Sequence, residues 1–248
     1  MGPAGTVSIS DAIARIQERV EAAQQRAGRV GEITLVAITK QVPVERIAEA
    51  YRAGLRHFGE NRVQEFEDKH PLLVLPSATW HMVGHLQSNK AQKAVALFDC
   101  IDSLDSAHLA EKLDKAAGEK GKPLPVLIQV HLGEEPSKHG VEPANLPALA
   151  QQVAGLPHLA LEGLMTLPPF LEPAERVRPY FRRLRELAEE LDWQKLPGVS
   201  MRRLSMGMSH DFEVAVEEGA TEVRLGTALF GPRPQRVLEP RINTDKHG

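Results

Sequence analysis

The 248-residue chain is 42% apolar and 25% charged, an ordinary balance for a soluble globular protein and long enough to bury one substantial core. Its net charge of −3, from 30 basic and 33 acidic residues, gives no reason to expect nucleic acid or an anionic membrane as partner. A single cysteine, Cys100, excludes an internal disulfide and a cysteine-based metal cluster and fits a reducing cytoplasm.

The first residues, from Met1 to Ser8, lack both the basic start and the apolar run of a signal peptide. No stretch nears the roughly 20 apolar residues that cross a bilayer, so a cytoplasmic protein is expected. Ser8 or Ser10 can cap a first helix, with Ile13, Ile16, Val20 and Ala23 as its apolar stripe and Gly28 and Gly31 ending it. Ile33–Ile38 reads as a short buried strand stopped by Thr39-Lys40-Gln41. Pro43 then opens a helix that carries Ile47, Ala50 and Tyr51 as far as Gly54.

The alternation repeats. Further strands are expected at Arg56–Gly59, Thr79–Val83, Phe98–Ile101, Pro125–Val130, Leu159–Gly163, Met201–Leu204 and Glu222–Leu225. Helical stretches lie between them, near residues 61–70, 88–97, 105–119, 143–153, 174–191 and 210–217. Short apolar strands spaced by helices signal a parallel sheet, and eight such units favour a closed (β/α)8 barrel, the TIM barrel, over an open doubly wound sheet. A Gly-x-Gly-x-x-Gly turn after the first strand is absent, which argues the same way. All 248 residues are read as one domain, an α/β barrel with an extra N-terminal helix; residues 1–9 and 232–248 are peripheral tails.

In such a barrel chemistry gathers where strands end. Lys40 follows the first strand, and Glu60, Asn61 and Arg62 follow the second. Gly84-His-Leu-Gln-Ser-Asn-Lys90 follows the third, a polar loop at Gly133–Gly140 the fifth, Ser205-Met-Gly-Met-Ser209 the seventh, and Gly226-Thr227 the eighth. The loop ending at Ser209 leads straight into a helix whose free N–H groups can face a phosphate, and Gly226 lets backbone approach an anion. Each loop alone reads equally as a turn and cap; the two at adjacent positions favour the phosphate. A lysine ending an interior strand points into the barrel mouth, where desolvation favours the neutral amine that can form a Schiff base. By spacing alone, an ordinary solvated lysine remains the commoner reading.

Among the other polar residues, His81, inside a strand, reads as a core histidine, whereas His85, His139 and His210 lie on the rim and can act as bases. No pair of histidines has a zinc-ligand arrangement in the sequence, so no metal is expected. Glu134-Glu135 most simply is solvated, and Gln87-Ser88-Asn89-Lys90 caps a helix through Ser88 or Asn89.

At these residues the sequence resembles the pyridoxal phosphate homeostasis proteins, also called proline synthetase co-transcribed homologues. The matching segments are Leu35-Val-Ala-Ile-Thr-Lys-Gln-Val-Pro43, His57-Phe-Gly-Glu-Asn-Arg-Val-Gln-Glu65, Trp80-His-Met-Val-Gly-His-Leu-Gln-Ser-Asn-Lys90, Ser137-Lys-His-Gly140, Gly163-Leu-Met165, Leu204-Ser-Met-Gly-Met-Ser209 and Val223-Arg-Leu-Gly-Thr-Ala-Leu-Phe-Gly231. They lie in order from about residue 10 to 231. The resemblance implies the alanine-racemase-like, fold type III barrel and pyridoxal 5′-phosphate held as a Schiff base on Lys40. It implies phosphate contacts from Ser209, Gly226 and Thr227, Arg224 near the pyridine nitrogen, and Asn61, Ser88, Asn89 and Met206 lining the pocket. Ile38-Thr39-Lys40-Gln41 departs from the more usual Val-Ser-Lys-Thr but keeps a hydroxyl residue before the lysine.

The resemblance further implies a protein of vitamin B6 homeostasis that carries the cofactor without robust turnover and passes it transiently to apo-enzymes. A racemase needs an acid–base group on each face of the substrate α-carbon. Related racemases take the second from a tyrosine of another domain, whereas Tyr51 and Tyr180 here fall in outer helices and only 17 residues follow Gly231. A monomer is therefore expected. A weak racemase or lyase is the alternative, and a barrel enzyme acting on another phosphorylated metabolite is a third reading.

Overall fold

The computed structural model describes residues 8–133 and 139–232. Strand β1 (Thr34–Ile38) forms from the apolar run after Gly31 and pairs in parallel with two neighbours, β2 (His57–Glu60) and β8 (Glu222–Leu225). Between them run β3 (Thr79–Met82), β4 (Cys100–Leu104), β5 (Leu124–Val130), β6 (Leu159–Thr166) and β7 (Val199–Met208), each paired with the next. The β1–β8 pairing, with Val36 opposite Arg224, closes the barrel and leaves no open edge.

The outer layer follows from amphipathic spacing. Helix α1 (Ile9–Arg26) buries Ile9, Ile13, Ile16, Val20 and Ala23, and Ser8, not Ser10, is its cap, accepting from the Asp11 N–H at 3.1 Å. Helices α2 (Val44–Arg52), α3 (Val63–Lys69), α4 (Ala91–Leu97), α5 (Ala107–Ala117), α6 (Leu146–Ala154), α7 (Arg178–Trp193), α8 (Phe212–Glu218) and the short α9 (Thr227–Phe230) complete the ring. Phe66 of α3 packs on Trp80 of β3 and on Phe98, with ring centroids 4.4 and 4.8 Å apart, an aromatic cluster that fastens this helix to the sheet. No helix among the described residues is long and apolar enough to cross a membrane.

The eight expected strands all form, with shifted ends. Phe98 terminates α4, donating its N–H to the Ala94 carbonyl, and β4 begins two residues later. Its polar residues Asp102 and Ser103 resemble turn residues in sequence but are fully buried. The segment from Ser205 to Met208, read from sequence as a loop, belongs to β7 instead, because Ser205 and Met208 still pair with Glu222 and Arg224 of β8. Ser88–Lys90 forms a 3-10 turn before α4, and neither Ser88 nor Asn89 caps either helix through its side chain. The Glu134-Glu135 pair, the Ser137-Lys138 part of one matching segment, and nearly all of both expected tails lie outside the described residues.

Candidate functional site

Behind Lys40, the turn that leaves β1 is clamped from beneath. Thr39 is fully buried; its hydroxyl donates to Glu60 Oε1 at 2.7 Å. Lys69 Nζ donates to the Thr39 carbonyl (2.8 Å), to Glu60 Oε1 (3.0 Å) and to Glu65 Oε1 (2.7 Å). Glu65 also accepts from the Gln41 N–H at 2.5 Å, and Gln41 sits at φ +59°, so the chain reverses sharply just past Lys40. Burial pushes the Glu60 carboxyl pKa up, against the pull of the Lys69 ammonium and the Thr39 hydroxyl. Lys40 is thereby presented, half-buried, to a cavity of about 600 Å³ at the C-terminal mouth of the barrel.

The same cavity is lined by Asn61, Ser209, Arg224, Gly226 and Thr227. Six of the nine residues expected around the cofactor thus meet in one chamber. Ser209 stands at the end of β7, and its hydroxyl oxygen accepts the backbone N–H of Gly226 and of Ala228, both at 3.2 Å. Both N–H groups are thus engaged by the Ser209 hydroxyl, and an oxyanion binding here would take them over from it. Arg224 is almost completely buried and is held by a planar fork, Nη1 to Ser205 Oγ and Nη2 to the Thr166 carbonyl, both at 2.7 Å. Burial lowers its pKa, opposed by the charges of Asp102, Asp211 and Glu222.

Three expected residues stand elsewhere. Ser88 and Asn89 line a groove against α5 with Gln92 and Lys112, because the chain after Gly84 turns outward into α4. Met206 is fully buried in the apolar core, and Met208, two residues on, takes the chamber wall in its place. Sequence reasoning also missed Asp211. Its Oδ1 accepts from the Met208 N–H at 2.6 Å, fixing the bend after β7, and burial raises its pKa. His210 beside it faces the chamber and tilts against Phe170 at 4.3 Å. A helix-start aspartate two residues past Ser209 was the available signal.

At the opposite end of the barrel His81 is a core histidine, as expected, and it is paired with a buried acid. Its Nδ1 lies 2.8 Å from Asp102 Oδ2 and its Nε2 lies 3.0 Å from His57 Nδ1. Burial disfavours charge on His81, yet Asp102 outweighs it and raises the pKa; Asp102, fully buried, is held below the usual carboxylate range by His81 and Arg203. Arg203 ties Asp102, Glu162 and Glu222 together, the last at very short range. This polar plug is far from Lys40 in the layering of the barrel and reads as support for the fold.

Residues 12–234 match the model of the alanine racemase N-terminal domain. The pyridoxal phosphate homeostasis protein of Aquifex aeolicus is 49% identical over 223 residues, 89% of this chain and 96% of the relative. That of Escherichia coli K12 is 41% identical over 229 residues, covering 91% and 97%. Among solved structures, PipY of Synechococcus elongatus PCC7942 with pyridoxal phosphate bound is 42% identical, with a TM-score of 0.79 over 90% of this chain and 100% of that one. The chain belongs to the alanine racemase N-terminal domain family, as one of its pyridoxal phosphate homeostasis proteins.

Proposed function

We propose that this chain binds pyridoxal 5′-phosphate in the chamber, linked covalently to Lys40, and serves in intracellular homeostasis of that cofactor without sustained turnover of amino acids. The observation that carries the reading is one cavity wall shared by an amine, an oxyanion cradle and a buried guanidinium: Lys40, then Ser209 with Gly226 and Thr227, then Arg224. When bound, pyridoxal phosphate supplies an aldehyde that a neutral lysine amine attacks. Lys40 offers that amine from a turn whose backbone Lys69 and Glu65 hold in place. The Gly226 and Ala228 N–H groups and the Ser209 hydroxyl suit a phosphate. Arg224, always charged, donates a hydrogen bond and accepts no proton, so it leaves a pyridine nitrogen unprotonated and the ring a weak electron sink.

The same residues argue against a racemase. The Tyr51 hydroxyl donates to the Pro76 carbonyl, Tyr180 sits in α7, and neither lines the chamber. The reading extends to a single-domain, monomeric, cytoplasmic protein that yields its cofactor to apo-enzymes in passing contacts. The test is an absorption spectrum of the purified chain with pyridoxal phosphate, followed by borohydride and mass mapping of the labelled peptide. Stoichiometric label on Lys40, lost in Lys40→Ala, is expected. An unlabelled Lys40 in saturated protein overturns the proposal, and amino-acid turnover at rates typical of enzymes overturns its carrier half.

A further inference from the structure

We propose that His85, Asp105 and His139 form a site for one divalent transition-metal ion at the mouth of the chamber. They come from the connections after β3, β4 and β5, which are adjacent staves of the barrel. Their sequence separations, 20 and 34 residues, hide them from any local ligand pattern. In the fold, His85 Nδ1 lies 3.2 Å from Asp105 Oδ2, and the His85 and His139 rings stack at 3.5 Å with planes 6° apart. One donor atom from each of the three residues lies within 4.8 Å of the others. Bonds of about 2.0–2.2 Å in a tetrahedral site put donor atoms roughly 3.3 Å apart, so His85 and Asp105 already stand at ligand spacing, and an ion is bound only once the two stacked imidazoles unstack and turn their ring planes onto one point. Two imidazoles and one carboxylate suit zinc, cobalt, nickel or copper; magnesium and calcium prefer all-oxygen sites.

Each residue is held by its own backbone support. Gly84 packs so closely on the preceding loop that a Cβ there would lie 2.3 Å from the Asn61 carbonyl oxygen, which fixes the approach to His85. Asp105 sits between the last residue of β4 and Ser106, whose hydroxyl caps α5. The His139 carbonyl accepts from Gln129 Nε2 at 2.8 Å, and two residues on Val141 bridges to Val130. Such outer supports are what orient metal ligands.

The contrast with the barrel interior is instructive. His81, Cys100 and Asp102 also bring donor atoms within 4.8 Å of one another, but there Arg203 Nη1 lies 3.0 Å from Cys100 Sγ and Nη2 3.5 Å from Asp102 Oδ1. A guanidinium already fills the cation's place. At the mouth, by contrast, both histidines line the chamber, so an ion held by them and Asp105 ties three neighbouring loops at its rim and retards exchange of whatever the chamber contains.

The experiment titrates the full chain, freed of pyridoxal phosphate and of metal, with cobalt(II) alone, reading the visible ligand-field absorption, with zinc as competitor. One equivalent is expected to bind, at least about 10-fold more weakly in each of His85→Ala, His139→Ala and Asp105→Asn. His158→Ala, which removes one partner of a surface histidine–aspartate pair 3.3 Å apart, is expected to leave binding unchanged. Urea midpoints report whether each variant is folded, and Asp105→Asn, nearly isosteric, keeps the test open should an alanine variant fail. Equal affinity in wild type, H85A and H139A, or no cobalt spectrum in the wild type, overturns the site. Because the probe is metal alone, either result leaves the cofactor proposal standing.

Discussion

Lys69 and Glu60 form an ion pair of 3.0 Å directly behind the turn that carries Lys40, with the Glu60 side chain wholly buried and Lys69 only 15% exposed. The pair joins α3 to the end of β2 and, through the Thr39 carbonyl, to the end of β1. Its electrostatics and the placement of the chamber lysine are therefore one structural problem.

Lys69→Met is expected to destabilise the chain by about 3–5 kcal/mol at neutral pH, since it strands a buried carboxylate. Glu60 already titrates above the usual carboxylate range because of burial, and loss of the ammonium raises it further. A carboxyl whose folded pKa exceeds its unfolded one favours the fold at low pH and loses that contribution as pH rises through the folded pKa. The defect should therefore shrink as pH falls towards 5. Urea midpoints of wild type and variant at pH 5 and 7 check this; a defect that grows on acidification contradicts it.

Gly84→Ala should cost about 1–3 kcal/mol or more, because its Cβ meets the backbone oxygen of Asn61, not a flexible side chain that can yield. Asn61 lines the chamber, so the same change should also weaken pyridoxal phosphate binding. A thermal melt and a cofactor titration on one preparation read both effects, and a variant with wild-type values in each contradicts the contact.

Arg224→Lys keeps the charge but cannot reproduce the fork onto Ser205 Oγ and the Thr166 carbonyl. Loss of one charge-assisted hydrogen bond of about 1.5–3 kcal/mol predicts roughly 10- to 100-fold weaker pyridoxal phosphate binding. Borohydride should still fix the label on Lys40. Unchanged affinity would mean that Arg224 supports the barrel and not the ligand.

The sequence made the barrel legible because each strand is a short apolar run and each helix shows its 3.6-residue stripe, as in Ile33–Ile38 and Ile13, Ile16 and Val20. The meeting of Lys40, Ser209 and Gly226 at the barrel mouth was legible because strand ends are where barrels put their chemistry. Three kinds of residue were not. The Asp102-Ser103 stretch reads as a turn, and only its pairing inside the barrel, with His81 and the Met82 carbonyl, makes it a strand. Ser88, Asn89 and Met206 stand away from the chamber wall because family likeness gives a neighbourhood, while one 3-10 turn or one register shift decides which side chain reaches the wall. Lys69 and the His85–Asp105–His139 group depend on distances across the closed sheet that no linear pattern carries.

His57 gives the chain a definite acid sensitivity. Burial, with the nearby His81 and Arg203 charges, lowers its pKa to about 4. Between that value and the ordinary imidazole value near 6.5 the unfolded chain binds the proton and the folded one does not. Unfolding thus takes up a proton in this window, so stability falls as pH drops from about 6.5 towards 4. His81 acts in the other direction: Asp102 raises its pKa against burial, so its contribution is complete below about 6.5 and fades as pH climbs through the raised value. His57→Asn removes the first dependence and keeps a polar neighbour for His81. The variant's melting temperature should change less than the wild type's between pH 7 and pH 5, and the two curves should converge above pH 7. Parallel pH profiles for the two proteins would show that the acid-side loss arises from groups other than His57.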